Sequence, residues 1–199
     1  MRPVGGAATA AVPPSPLRRR HGGVLADSPH VELPRRGERI VTMPEAPHWA
    51  ASDPAFRRSE VSAVIGRGAD AWQRAGDDVL RWRVKTRSGF LVGSDAPVRP
   101  GQQERIRVRV LGMTIVEPVE VVAVVEDRDR VGFAYRTLPG HPVDGEEAFV
   151  VHRDTVDGDI TLTVRSLTRA APQQPWRLLH PVLRIAQRVA RRRYLRALR

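Results

Sequence analysis

Residues 103–164 repeat one pattern: a short apolar or alternating run, then a turn-type sequence. In 103–111, Arg105, Arg107 and Arg109 alternate with Ile106, Val108 and Val110, which predicts a strand with one wet face and one core face. Gly112-Met113 reads as a turn. Residues 119–125 are almost wholly apolar and predict a central strand. The charged turn Glu126-Asp127-Arg128-Asp129-Arg130 follows, then strands over 131–138 and 146–153. Asp157-Gly158 predicts a two-residue hairpin turn before Ile160, Leu162 and Val164. Strands joined by such short connections pair antiparallel, and the resulting sheet needs one face covered.

Two amphipathic segments can supply the cover. Residues 60–65 read as a first strand, broken by Gly66 and Gly68. Trp72, Ala75, Val79 and Leu80 then recur at helical spacing over 69–80, with Asp70 near the positive end of the dipole. Phe90 to Val92 is a further short strand. At the other end, Trp176, Leu179, Leu183, Ala186, Val189, Ala190 and Leu195 form one broad stripe. The regular part of this helix is expected to start near Pro181, since proline suits a first turn.

Residues 1–49 read as a disordered tail and 50–199 as a single domain. The tail holds Pro13, Pro14, Pro16, Pro29, Pro34, Pro44 and Pro47 with the Arg18-Arg19-Arg20 cluster, and offers little apolar surface to offset ordering. Met43 is an alternative start.

Charge is uneven. The net +11 comes from +4 in residues 1–40, −3 in 41–159 and +10 in 160–199. Any anionic membrane or nucleic acid would therefore meet the two ends of the chain, with the Arg-rich last helix as a weak contact, rather than the middle of the protein. Lys85 is the sole lysine.

Several chemistries are excluded. There is no cysteine, hence no disulfide, thiolate catalysis or zinc–thiolate site. The six histidines show no metal-ligand spacing, and neither a phosphate loop nor a nucleophile elbow is present. No metal, no cofactor and no complete catalytic motif is expected. No run is long enough to be a transmembrane segment and no signal peptide is evident, so a cytoplasmic protein is expected. The residues carry no signal for an oligomeric state.

The run 132–153, GFAYRTLPGHPVDGEEAFVVHR, the closing RRRYLRAL (191–198) and the Trp72/Trp82 helix edge resemble a bacterial and plant family catalogued as a domain of unknown function, number nineteen-ninety. That family is related to the helix-grip superfamily of START, polyketide-cyclase and birch-pollen-allergen proteins. The resemblance covers about residues 45–198. It implies an α+β fold, with a curved antiparallel β-sheet gripping a long C-terminal α-helix around an apolar cavity. It also implies a bacterial protein that binds a hydrophobic ligand. One departure is Arg136, where the family usually has a small residue.

On this picture Trp72, Tyr135 and Trp176 would line the cavity and bind an apolar or amphipathic small molecule. His141 or Glu146 would be its polar anchor, with Tyr135 and Arg136 as partners. Strand alternation sends Glu146 and Glu147 to opposite faces, so only one can reach a cavity. Leu-Pro-Gly-His-Pro also reads as a stiff corner whose bare N–H groups a carboxylate satisfies. Two other functions remain open: acid–base catalysis by His141 or Glu146, and an interaction module docking through the last helix.

Overall fold

The computed structural model describes residues 30–32, 42–49, 54–110, 112–171 and 176–199. In chain order these form β1 (His30–Glu32), β2 (Arg57–Arg67), α1 (Gly68–Leu80), α2 (Arg83–Thr86), β3 (Phe90–Leu91), β4 (Gln103–Val110), β5 (Met113–Glu126), β6 (Arg130–Thr137), β7 (Val143–Arg153), β8 (Asp159–Ala170) and α3 (Trp176–Tyr194). The sheet runs β2-β8-β7-β6-β5-β4-β3, with β1 paired to the far end of β5. Every pairing is antiparallel. The fold class is the expected one, a curled antiparallel sheet with a C-terminal helix. Among the described residues no helix is long and apolar enough to cross a membrane.

Strand alternation divides the side chains between two faces. The face toward the helices carries Ile106, Val119, Val121, Phe133, Tyr135, Phe149, Leu162 and Val164, which join Val79 and Trp82 in the main core. The other face carries a thin layer of Val122, Ala123, Ala134, Ala148 and Val150. Bulges shift the register in β5 between Val121 and Ala123 and in β2 between Val64 and Gly66. Such bulges bend a strand and raise its twist.

Four local expectations change. β7 starts at Val143, three residues before the predicted strand. Gly145 makes this possible: its φ is +152°, and a Cβ there would meet the Leu167 carbonyl oxygen at 1.8 Å. Met113 opens β5 rather than sitting in the turn. The β7–β8 connection is a loop rather than a two-residue turn, with the Asp154 carboxylate accepting the Val156 N–H at 2.7 Å and only Gly158 at positive φ. Finally, α3 starts at Trp176 rather than near Pro181. A proline this close to a helix start forfeits a single backbone hydrogen bond.

Part of the expected tail, residues 42–49, falls among the described residues. Residues 42–49 lie against the outer face of the sheet. Glu146 Oε1 accepts the Thr42 N–H at 2.8 Å and its hydroxyl. Arg165, only 1% exposed, donates to the carbonyls of Thr42, Met43, Ala46 and Pro47 and to Glu60. A buried guanidinium needs acceptors, and this strap of backbone supplies four. Proline-rich composition gave no hint of it. The rest of the expected tail, residues 1–29 and 33–41, lies outside the described residues.

Candidate functional site

The geometry of the site begins at Trp82. This residue has φ +60°, a left-handed conformation that costs a non-glycine residue about 1–2 kcal/mol. Complete burial of its indole offsets the strain, with the ring edge-on to Phe133 at 4.6 Å. The kink ends α1 and starts the single turn of α2, which aims Lys85 inward.

Lys85 is 3% exposed. Its Nζ lies 3.2 Å from Glu147 Oε2 and 3.8 Å from Glu117 Oε2. The rings of Phe90, Tyr194 and Tyr135 surround it, with centroids at 4.6, 5.1 and 5.2 Å. Tyr135 faces Glu147 directly across the β6–β7 ladder and donates its hydroxyl to Glu147 Oε2. Burial alone would discharge Lys85, but the oxygens of Tyr135, Tyr194, Glu147 and Glu117 outweigh it and hold its pKa well above the usual lysine range. Lys85 is therefore an ammonium, not a nucleophilic amine, near neutral pH. Burial raises the pKa of Glu117, Tyr135 and Tyr194.

This cluster closes one end of a cavity of about 410 Å³ between the sheet and α3. The cavity exists because α3 touches down at its C-terminal end. Tyr194 and Leu198 are buried, Tyr194 meets Phe149 edge-on at 5.2 Å, and Arg191 donates to Ser166 on β8 at 3.1 Å. Farther up the helix, Leu183, Ala186 and Ala190 border open space opposite Val108, Ile115 and Val143. Ser88 also borders the cavity; it is 4% exposed and its Oγ has no hydrogen-bond partner among the described residues.

Of the residues singled out from the sequence, Tyr135 lies in the charged cluster. His141 borders the cavity, but its Nδ1 packs on the Val143 backbone, 3.1 Å from N and 2.8 Å from O. Burial, then the nearby Lys85 charge, lowers its pKa to about 3, so it is neutral at physiological pH. Glu146 borders the cavity through a strand whose alternation carries its carboxylate to the outer face, where Thr42 binds it. Glu147 is the member of that pair that reaches Lys85. Arg136 pairs with Glu120 at 3.1 Å on the outer face, and its bulk does not enter the cavity lining. Trp72 is half-buried on α1, under the Arg153 guanidinium at 5.2 Å, and Trp176 is half-buried at the start of α3. Neither borders the cavity.

Sequence reasoning missed Lys85, Ser88, Glu117 and Tyr194 as site residues. One signal was available: a single lysine among 33 basic residues. Among the described residues no group of His, Asp or Glu could hold a metal ion.

A family model described as Domain of unknown function (DUF1990) matches residues 42–197. The chain belongs to this family. The DUF1990 match begins at Thr42, the first residue of the strap held by Glu146 and Arg165. The chain is 31% identical over 172 residues to a "UPF0548 protein" of Deinococcus radiodurans, covering 76% of this chain and 78% of that one. Similar solved structures include the Zhui aromatase/cyclase from a Streptomyces species (20% identity, TM-score 0.47, 72% of this chain and 91% of that one). Another is the ginseng major latex-like protein 151 from Panax ginseng (14% identity, TM-score 0.42, 70% and 98%).

Proposed function

We propose that this DUF1990 domain binds an amphipathic small molecule in the cavity between the sheet and α3. The ligand's apolar body lies along Val108, Ile115, Val143 and the inner side of α3. Its polar group meets Lys85, Glu117 and Ser88. The observation that carries the reading is where the charges sit: a buried ammonium, two carboxylates and a hydroxyl with no hydrogen-bond partner among the described residues meet at one part of a cavity whose remaining lining is mostly apolar. Buried ion pairs are seldom worth their desolvation as stability devices. Perturbed titratable groups in a cleft are instead a mark of binding or catalytic sites. Dye displacement tests this: a solvatochromic apolar dye should bind the protein at one site, and Ala190→Trp, which fills the space from α3, should abolish that binding without lowering the melting temperature.

A second reading is proton-transfer chemistry at the same end, favoured by the raised pKa of Glu117. His141 and Glu146 are poorly suited to that role, because one is held neutral and the other is bound by Thr42. Weak contact of the outer face of α3 with anionic surfaces is supported by crowding of like charge. Arg184 foremost, then desolvation, then Arg188 and Arg191 lower the pKa of Arg57.

A further inference from the structure

We infer that the group the cavity's closed end receives is a protonated amine, an inference that rests on the ligand-binding reading above. The charge arrangement carries it. Lys85 and Glu147 form a close pair at 3.2 Å, and Glu147 Oε2 also accepts the Tyr135 hydroxyl. These groups satisfy one another. Glu117 is the carboxylate left over. Lys85, 3.8 Å away, is its one ion-pair partner among the described residues, and that distance is too long for a full hydrogen bond. One ammonium, Lys85, thus faces two carboxyl groups at the closed end.

Ser88 supplies the second observation. Its hydroxyl is buried, borders the cavity and has no partner among the described residues. A buried polar atom of this kind is costly unless something fills its hydrogen-bonding capacity. A primary ammonium brings three donors and one positive charge. It answers both deficits at once: a charge-assisted bond to Glu117 and a donor for Ser88 Oγ, with the Phe90 and Tyr194 rings also lining the cavity. A carboxylate would bring a third negative charge to a place with a single ammonium. A hydroxyl could pair with Ser88 but would leave Glu117 with only its 3.8 Å contact to Lys85.

The rest of the molecule pulls the other way, which makes the inference testable. Net charge is +11, and the exposed Arg109 and Arg193 stand at the cavity's outer part. Long-range attraction therefore favours anions. An amine preference can arise only from the closed end.

The test is the affinity of the full chain for dodecylamine, dodecanol and dodecanoate below their micelle concentrations, by dye displacement and native mass spectrometry. Dodecylamine should bind at least tenfold more tightly than the other two. In Glu117→Gln that advantage should vanish while dodecanol affinity stays within about twofold, as expected when one charged pair is replaced by a neutral contact. Dodecanoate binding as tightly as the amine overturns the inference, as does an amine preference that survives in Glu117→Gln. Should Glu117→Gln not fold, the order of the three probes on the unaltered protein decides alone. Dodecanol binding without amine preference would overturn the head-group assignment and leave the ligand-binding reading standing. Absence of binding by all three would overturn both.

Discussion

The Lys85 ammonium, itself buried, lies 3.2 Å from Glu147 Oε2 among aromatic rings at the wall of the cavity. The pair joins a one-turn helix to the middle of the sheet. It thereby fixes the polar end of the cavity on two rigid elements.

Removing the cation should expose this dependence. Lys85→Met leaves Glu147 and Glu117 buried without a counter-charge, and breaking a buried pair in this way costs roughly 3–5 kcal/mol. Urea denaturation should show the midpoint fall accordingly. Lys85→Met combined with Glu147→Gln should recover most of the loss. A single-variant loss under about 1 kcal/mol would mean that the pair is not buried as described.

Acid should act through His141. Its folded pKa is about 3 against about 6.5 unfolded, so the unfolded chain binds the proton first. The stability contribution is complete above pH 6.5 and is lost as the pH falls toward 3, by up to about 1.4 kcal/mol per unit. His141→Asn should flatten the melting temperature between pH 6.5 and 4 relative to the unaltered protein. Parallel curves for the two proteins would contradict the assignment.

The strap offers a truncation test. A chain starting at Thr42 keeps the carbonyls that solvate Arg165; a chain starting at residue 50 does not. The shorter chain should melt lower, because Arg165 loses four backbone acceptors and keeps only Glu60 and water. Equal melting temperatures would show the strap to be dispensable.

The arginine face of α3 should give salt-sensitive binding to anionic vesicles. Replacing Arg184 and Arg188 by Gln should reduce it, and 0.5 M salt should abolish it, since screening at that strength confines charge effects to a few ångströms. Salt-independent binding would point to the exposed Ile185 and Val189 instead.

Period-two alternation made β4 legible and a continuous apolar run the end of β5, and the 3.6-residue stripe did the same for α1 and α3. These signals belong to elements long enough to show a pattern. The site is built from features that lack such periodicity. Lys85 sits on a four-residue helix that exists because Trp82 adopts a left-handed backbone, which no local propensity announces. Parity told that only one of Glu146 and Glu147 faces the cavity, but which one depends on pairing register: Tyr135 opposite Glu147, Arg136 opposite Glu146. The strap was invisible for another reason. Its contribution is backbone carbonyl oxygen, which every residue has, and its partner Arg165 is distant in sequence.

Native mass spectrometry of the full chain, purified without denaturant, weighs the ligand reading most directly. A fraction of the molecules should carry one added small molecule, which acid or organic solvent releases and extraction recovers as an amphipathic compound bearing an amine. A single unadorned mass that persists after incubation with dodecylamine and dodecanol would show that the space beside Lys85 receives nothing.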